Sequence, residues 1–340
     1  MRDRSDALVI YAGGAAAVVA AVLFKEFLAS GKKFKFVIDF CAGGVAGAIA
    51  KTLTAPIENC KNALQCQEIH PDVRAGRIKR YNGIADYFRS TVNERGVLAL
   101  WEGNMINVLR YFPTQAANFV FKDKIKALFP KYNAKTEFKK FFAANMASGG
   151  LAGAISLSIV YPLDYVYTII RYDLSGKYGE VRRREGSLGV AKAFVRKRGV
   201  LALYSGFGIS VLGIVLYRGP YFGMFDTLKS LNPFMKDKGF LGMASKFAIA
   251  QTTAIFAGFV SYPLDTVRRR MLMDAAFPAD GKEPTYRGAW HCLLTIVEEE
   301  GVLALFSGFG ANVLRTLAGA FILVGYDVFK KAVLVKALKK

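Results

Sequence analysis

Six apolar stretches organise the chain: residues 37–65, 104–129, 141–172, 208–230, 242–274 and 308–336. Each reaches the ~20 residues that a helix needs to cross a hydrocarbon core. Between them the pattern turns polar, and three of the links carry a shorter amphipathic segment: YNGIADYFRSTVNERGVLALWEGN, EGSLGVAKAFVRKRGVLALYSGFG and YRGAWHCLLTIVEEEGVLALFSGFG. These align with one another, and each ends on a VLAL-aromatic-x-Gly run that sets Gly103, Gly206 and Gly308 at the start of the next apolar stretch. A unit of long helix, amphipathic link and long helix recurring three times predicts three homologous repeats. We place them at 37–133, 134–235 and 236–340. The predicted fold is an all-α membrane protein with six transmembrane helices in pseudo-threefold arrangement.

Charge patterning adds a second threefold feature. Toward the end of the first long helix of each repeat stands a proline, an acid two residues later and a further position three beyond: Pro56, Glu58 and Lys61 in TAPIENCK; Pro162, Asp164 and Tyr167 in VYPLDYVY; Pro263, Asp265 and Arg268 in SYPLDTVRRRMLMD. Within one helix such acids and bases are i,i+3 neighbours and can bond locally. In a threefold bundle each acid can instead reach the base of the next repeat and close one mouth of a central cavity. The second long helices end on further pairs, Asp123 with Lys126, Asp226 with Lys229 and Asp327 with Lys330, which can close the other. Upstream, Gly43 and Gly47, Gly149 and Gly153, and Ala254 and Gly258 form small-xxx-small faces for close helix approach.

Residues 1–36 precede the repeats. Their apolar run Leu8–Phe24, followed by Lys25, Lys32, Lys33 and Lys35, reads first as an extra membrane-associated helix, next as an interfacial or disordered arm and last as a cleaved signal, since no clear polar c-region precedes a cleavage site.

Composition agrees with a membrane protein: 53% of residues are hydrophobic and the mean hydropathy is +0.26. A net charge of +21 suits nucleic acid, an anionic membrane or an anionic substrate. No zinc-finger spacing, recognition helix or aromatic sheet motif accompanies it, which argues against nucleic acid. Cys41, Cys60, Cys66 and Cys292 lack metal or redox spacing, and His70 and His291 have no nucleophile placed beside them in sequence, so neither an enzyme nor a cofactor or metal site is indicated.

Lys51, Arg110 and Arg315 interrupt apolar runs. A charge there costs at least about 2.5 kcal/mol unless it faces water or a partner. Pointing inward, three bases make a seat for a polyanion, and Tyr217 and Tyr221 offer rings for stacking. The amphipathic links contribute a third kind of site. Gly103, Gly206 and Gly308, with Gly83, Gly186 and Gly288 heading the links, stand at helix starts whose free N–H groups suit an anionic headgroup. A plain helix-start role for these glycines stays equally open.

With these residues in view, the chain resembles the mitochondrial carrier family over nearly everything after residue 36, and most closely its ADP/ATP-exchanging branch. The likeness rests on the threefold Px[DE]xx[KR] frame, on RRRMLM (Arg268, Arg269, Arg270, Met271, Leu272, Met273), and on NVLRYFPTQAANFVFKDK and GAFILVGYD. It implies a barrel of kinked helices around a water-filled cavity in the mitochondrial inner membrane, functioning as a monomer, binding cardiolipin and exchanging ADP for ATP. It further implies that Lys51, Arg110 and Arg315 hold phosphates, that Gly213, Ile214 and Tyr217 form the adenine pocket with Ser261 as a polar contact, and that Gln65 braces the matrix-side ring. The sequence departs from the family at Tyr167 and Ile169, which replace two arginines, at Asn59, and at Glu102, Ser205 and Ser307 in the links. Those changes leave room for another anionic nucleotide or cofactor as substrate, or for a structural membrane protein impaired in transport. A second arginine triplet, Arg182–Arg184, reads as a solvated loop.

Overall fold

The computed structural model describes residues 33–74, 76, 79–105, 107–108, 111, 114, 125, 127–130, 132, 136–172, 179–237, 239–276 and 284–322. Its regular structure is helical throughout, and no strand occurs among the described residues. The N-terminal run Leu8–Phe24 lies outside them.

Three long helices each carry one of the motif prolines: α1 (Lys33–Cys66) with Pro56, α3 (Phe138–Tyr172) with Pro162 and α6 (Phe240–Ala276) with Pro263. Proline costs an internal hydrogen bond, but packed neighbours in a membrane bundle make that tolerable. The links form α2 (Ile84–Arg95), α4 (Gly179–Arg198) and α7 (Ala289–Glu300). The second long helix of each later repeat is α5 (Phe207–Leu231) and α8 (residues 309–322). Four segments among the described residues are long and apolar enough to cross a membrane, Lys139–Thr168, Val200–Lys229, Leu241–Ala276 and Val302–Ile322. Most of the stretch 104–129 falls outside the description.

The repeat is most visible in the backbone of the link ends. Each VLAL-aromatic run is a single 3₁₀ segment, Val97–Trp101, Val200–Tyr204 and Val302–Phe306. The glycines on either side have φ of 81° and 75°, 84° and 74°, 86° and 77°. Left-handed backbone there costs an L side chain roughly 1–2 kcal/mol, so the same glycine pair in every repeat is a requirement of the turn. Within each run one leucine points inward, Leu100, Leu203 or Leu305, and is buried.

The expected small-residue faces meet the second helices. A Cβ on Gly149 would collide with Arg218, one on Gly153 would lie 3.1 Å from Ile214 Cγ2, and one on Gly47 would collide with Tyr111. The third face meets α8 more loosely, since the nearest atom to a Cβ on Gly258 is Asn312 Nδ2 at 3.7 Å, an ordinary van der Waals contact. The main buried cluster sits at the link end of the bundle, where Tyr161, Tyr165, Phe194, Val267, Met273 and Ile296 join α3, α4, α6 and α7. Pro162 and Pro263 with their charged partners are therefore mounted on the larger buried cluster among the described residues, and Pro56 lies beside a second one around Cys60, Leu64, Tyr87 and Leu100.

Repeat two departs from the expected pattern at one place. α4 begins at Gly179 and runs 20 residues, against 12 for α2 and α7. Gly186 consequently lies inside the helix, where its N–H belongs to the intrahelical ladder, and it cannot be the headgroup seat predicted for it. Arg182–Arg184 are helical for the same reason, not part of a loop.

Candidate functional site

The charged motif residues pair between repeats. Lys61 Nζ of α1 lies 2.6 Å from Asp265 Oδ2 of α6, and Arg268 of α6 bonds Asp164 of α3. The local i,i+3 pairing of Asp265 with Arg268 does not form: Asp265 and Asp164 each take the base of the following repeat, as a threefold ring requires. Gln65 Nε2 donates to Asp265 Oδ2 at 3.3 Å and to Thr266 Oγ1 at 2.8 Å, which fits the brace implied by the resemblance.

Each ring base also lies on an aromatic face. Arg268 sits 5.3 Å above the ring of Tyr161 and Lys61 sits 5.1 Å above that of Tyr262, distances at which cation–π attraction operates. These tyrosines immediately precede the motif prolines, and their hydroxyls donate to Ser205 O at 2.7 Å and Ser307 O at 2.9 Å. The equivalent residue in repeat one is Ala55. Asn59 takes over the anchoring there, donating from Nδ2 to Leu100 O at 2.6 Å and Glu102 O at 3.3 Å. So Asn59 holds its link to the long helices by its side chain, as Ser307 does by donating from Oγ to Leu64 O at 3.0 Å, whereas Ser205 accepts from Tyr161 through its backbone carbonyl.

The third corner of the ring would join repeat two to Glu58. Tyr167 stands in place of the base and is 4% exposed. Glu58 lies 3.8 Å from Lys51 Nζ and accepts from Asn107 Nδ2 at 3.4 Å.

The arginine triplet divides into three tasks. Arg268 closes the ring, and Arg269 Nε donates to Asp265 Oδ2 at 3.1 Å. Arg270 is fully buried and turns away from the cavity. It grips Glu300 of α7 through both guanidinium nitrogens, one at 2.7 Å, and donates to Gln65 O at 3.3 Å. Met271 is half-buried, while Leu272 and Met273 belong to the core.

Beside the ring lies a cavity of about 530 Å³. Gly213, Ile214, Tyr217, Ser261 and Arg315 all line it, from three different helices. Among the described residues its walls carry five cationic side chains (Lys61, Arg218, Arg268, Arg269 and Arg315) against one acid, Asp265. That balance suits a polyanion. Arg315 is steadied by Asn312 Oδ1, 3.1 Å from Nη2. On α5, Tyr217 and Tyr221 stack at 5.7 Å, and Tyr221 and Phe225 at 6.0 Å, an aromatic ladder onto which a flat heterocycle can dock. Arg218, Ser210 and Asn312 also line the cavity. Arg218 was legible by the criterion that singles out Arg110, a base inside an apolar run.

Lys51 is partly exposed and lies outside the cavity lining; Arg110 falls outside the described residues. Of the second set of pairs, Asp226 and Lys229 are exposed near the end of α5, while Asp123, Lys126, Asp327 and Lys330 are outside the description. Gly83 and Gly288 precede the first residues of α2 and α7, and Gly103, Gly206 and Gly308 close the 3₁₀ turns. Among the described residues no cluster of His, Cys, Asp and Glu could hold a metal ion.

Comparison with known proteins places this geometry. The model of the family described as "Mitochondrial carrier protein" matches residues 32–133, 138–236 and 240–337. The "ADP,ATP carrier protein" of Parachlorella kessleri is 47% identical over 310 residues, covering 90% of this chain and 89% of its own. The "ADP/ATP translocase 3" of Bos taurus is 45% identical over 299 residues, 88% of this chain and 98% of that one. The "ADP/ATP translocase" of Thermothelomyces thermophilus is 45% identical over 309 residues, 89% and 94% of the two chains.

Proposed function

Because the chain belongs to the mitochondrial carrier family, we propose that it exchanges ADP for ATP across the mitochondrial inner membrane, as a multi-pass antiporter with alternating access. The observation that carries this reading is the convergence of Gly213, Ile214, Tyr217, Ser261 and Arg315 on one cationic cavity directly beside a cross-repeat charge ring. It is a transporter and not an enzyme.

Arg315, Arg218 and the ring bases attract the phosphates, and the aromatic ladder of α5 takes the adenine. Lys51 and Arg110 are assigned to the phosphates by resemblance. The closed ring of Lys61, Asp265, Arg268 and Asp164 is the matrix gate, so the cavity fills from the cytoplasmic side. Asp123, Lys126, Asp226, Lys229, Asp327 and Lys330 form the opposing gate. The nucleotide must bind the occluded state more tightly than the open one, because a ligand shifts an equilibrium only by its differential affinity. Phosphates gathered by the ring bases would weaken their hold on Asp265 and Asp164, which couples occupancy to opening. ADP and ATP differ by one charge, and moving it across the membrane contributes about 2.3 kcal/mol per 100 mV.

The three repeats, 37–133, 134–235 and 236–340, each supply one wall, with 1–36 as an extension. The monomer is the working unit, since cavity and ring lie within one chain. Gly83, Gly103, Gly206, Gly288 and Gly308 are assigned to anionic lipid such as cardiolipin.

The test is uptake of labelled ADP into liposomes that hold the purified protein and internal ATP, with other nucleotides as competitors. Rapid exchange that collapses in Arg315→Ala supports the reading. Exchange confined to a different nucleotide, or none from folded protein, overturns it.

A further inference from the structure

The most exposed large apolar side chains among the described residues are three leucines at one equivalent position of the repeats. Leu98, Leu201 and Leu303 are 85%, 87% and 85% exposed. Each is the second residue of a 3₁₀ run whose fourth residue, Leu100, Leu203 or Leu305, is buried. With three residues per turn, positions two apart point to different sides, and the left-handed glycines on either side hold the run in that shape. Every link therefore turns one leucine into the protein and displays another outside it. Two observations say what covers the outer one. The apolar segments Val200–Lys229 and Val302–Ile322, long enough to cross a membrane, begin on these runs, so Leu201 and Leu303 stand where the lipid-facing surface ends. On α7, Trp290 and Leu294 are also exposed and lie one turn apart on the same face, and tryptophan gathers at the boundary between headgroups and acyl chains.

We propose that the link ends are lipid wedges: Leu98, Leu201 and Leu303, with Trp290 and Leu294, insert at the headgroup and acyl boundary of the leaflet at this end of the bundle, and the links lie on the bilayer. The inference needs only that the long helices span a membrane, whatever solute crosses it. In repeat two α4 adds an electrostatic part, with seven bases against two acids along its length, which favours an anionic leaflet. α7 ends instead on Glu298, Glu299 and Glu300 and is held by its apolar face alone. The wedges lie close to the charge ring. Leu98 is two residues from the carbonyl that receives Asn59, and Leu201 and Leu303 are four from those that receive Tyr161 and Tyr262. The leaflet thus grips the same turns that tie the proline-bearing helices to their links.

The test uses the full chain in vesicles of phosphatidylcholine with phosphatidylglycerol. A nitroxide label on Leu98→Cys, Leu201→Cys or Leu303→Cys, in a background whose native cysteines are serine, is read for collision with oxygen, which concentrates among acyl chains, and with a water-soluble nickel chelate. Leu216→Cys, on α5 away from the cavity, and Glu299→Cys, exposed among polar residues of α7, are the lipid and water references. The oxygen-to-nickel ratio at the three leucines should exceed that of Glu299→Cys by about fivefold and stay below that of Leu216→Cys, as insertion of about 5–10 Å requires. Labels as open to nickel as Glu299→Cys would overturn the proposal and leave the leucines to a protein partner. Should the serine background not fold, the two native tryptophans decide. Trp290→Phe leaves Trp101 alone, so the difference from the parent isolates Trp290. Bromines placed near the headgroup should quench Trp290 more than bromines near the chain ends. No quenching by either, or stronger quenching by the deeper set, would sink the boundary placement.

Discussion

Replacing Asp265 by asparagine removes the acid on which most of the ring converges. Asp265 Oδ2 accepts from Lys61 at 2.6 Å, Arg269 at 3.1 Å and Gln65 at 3.3 Å. The Lys61 side chain is 6% exposed and that of Asp265 26%. Breaking a buried pair by neutralising one partner costs about 3–5 kcal/mol. The exposure of Asp265 and the water-filled cavity beside it bring this to about 2–3 kcal/mol. The cost falls on the matrix-closed state alone, since the pair is already parted when the gate opens. The closed-to-open ratio should therefore fall about 30- to 150-fold. An impermeant thiol reagent applied from the matrix side of oriented proteoliposomes reads this directly, with Ser261→Cys as reporter in a background lacking the native cysteines. Ser261 lines the cavity next to the ring, so its labelling rate from the matrix should rise at least tenfold in Asp265→Asn. The exchanged pair Lys61→Asp with Asp265→Lys should bring it back down. A rate within twofold of the parent in Asp265→Asn would refute the assignment of this ring as the gate.

Arg270→Met should destabilise the protein by about 2–4 kcal/mol in thermal unfolding, because it strands Glu300 beside a buried site. Arg270→Lys should lose less, keeping the charge without the two-pronged grip. Gly308→Ala should cost more than Gly206→Ala: both have positive φ, 77° and 74°, at roughly 1–2 kcal/mol for an L side chain, but at Gly308 the Cβ would press on Lys61 O at 2.8 Å whereas at Gly206 the nearest atom is the Tyr161 hydroxyl at 3.3 Å. Equal losses by unfolding would count against the clash. Burial pushes the Cys292 thiol from 9.0 up to about 12, so it should resist maleimide at pH 8 until the protein unfolds. The folded state keeps its proton where the unfolded state has lost it, so this contribution is intact below pH 9 and is lost as pH rises from 9 toward 12. Cys292→Ser should flatten that part of the stability curve.

Most of the site was legible because it lies on helices whose periodicity is written in the sequence. Tyr217, Ser261 and Arg315 line one cavity, and Arg218 beside them is, like Arg110, a base inside an apolar run. Lys51 is the instructive difference. Its place in an apolar run marks it as a base needing a partner, and Glu58, two turns on along the same helix face, lies 3.8 Å away, a contact that the threefold motif does not suggest. Gly186 shows the converse: the alignment of the links places it at a helix start, but α4 begins at Gly179.

The sequence by itself determined the repeat, the helices and the sign of the cavity charge, because helical period, glycine turns and charges within apolar runs are local properties that any threefold packing preserves. Which acid meets which base was decided only by the tertiary structure. An i,i+3 pair and a cross-repeat pair have the same sequence signature, and their difference lies in how the three proline-bearing helices are brought together. The packed core of Tyr161, Tyr165, Val267 and Met273 at the link end fixes that approach, directing Arg268 to Asp164 and Lys61 to Asp265.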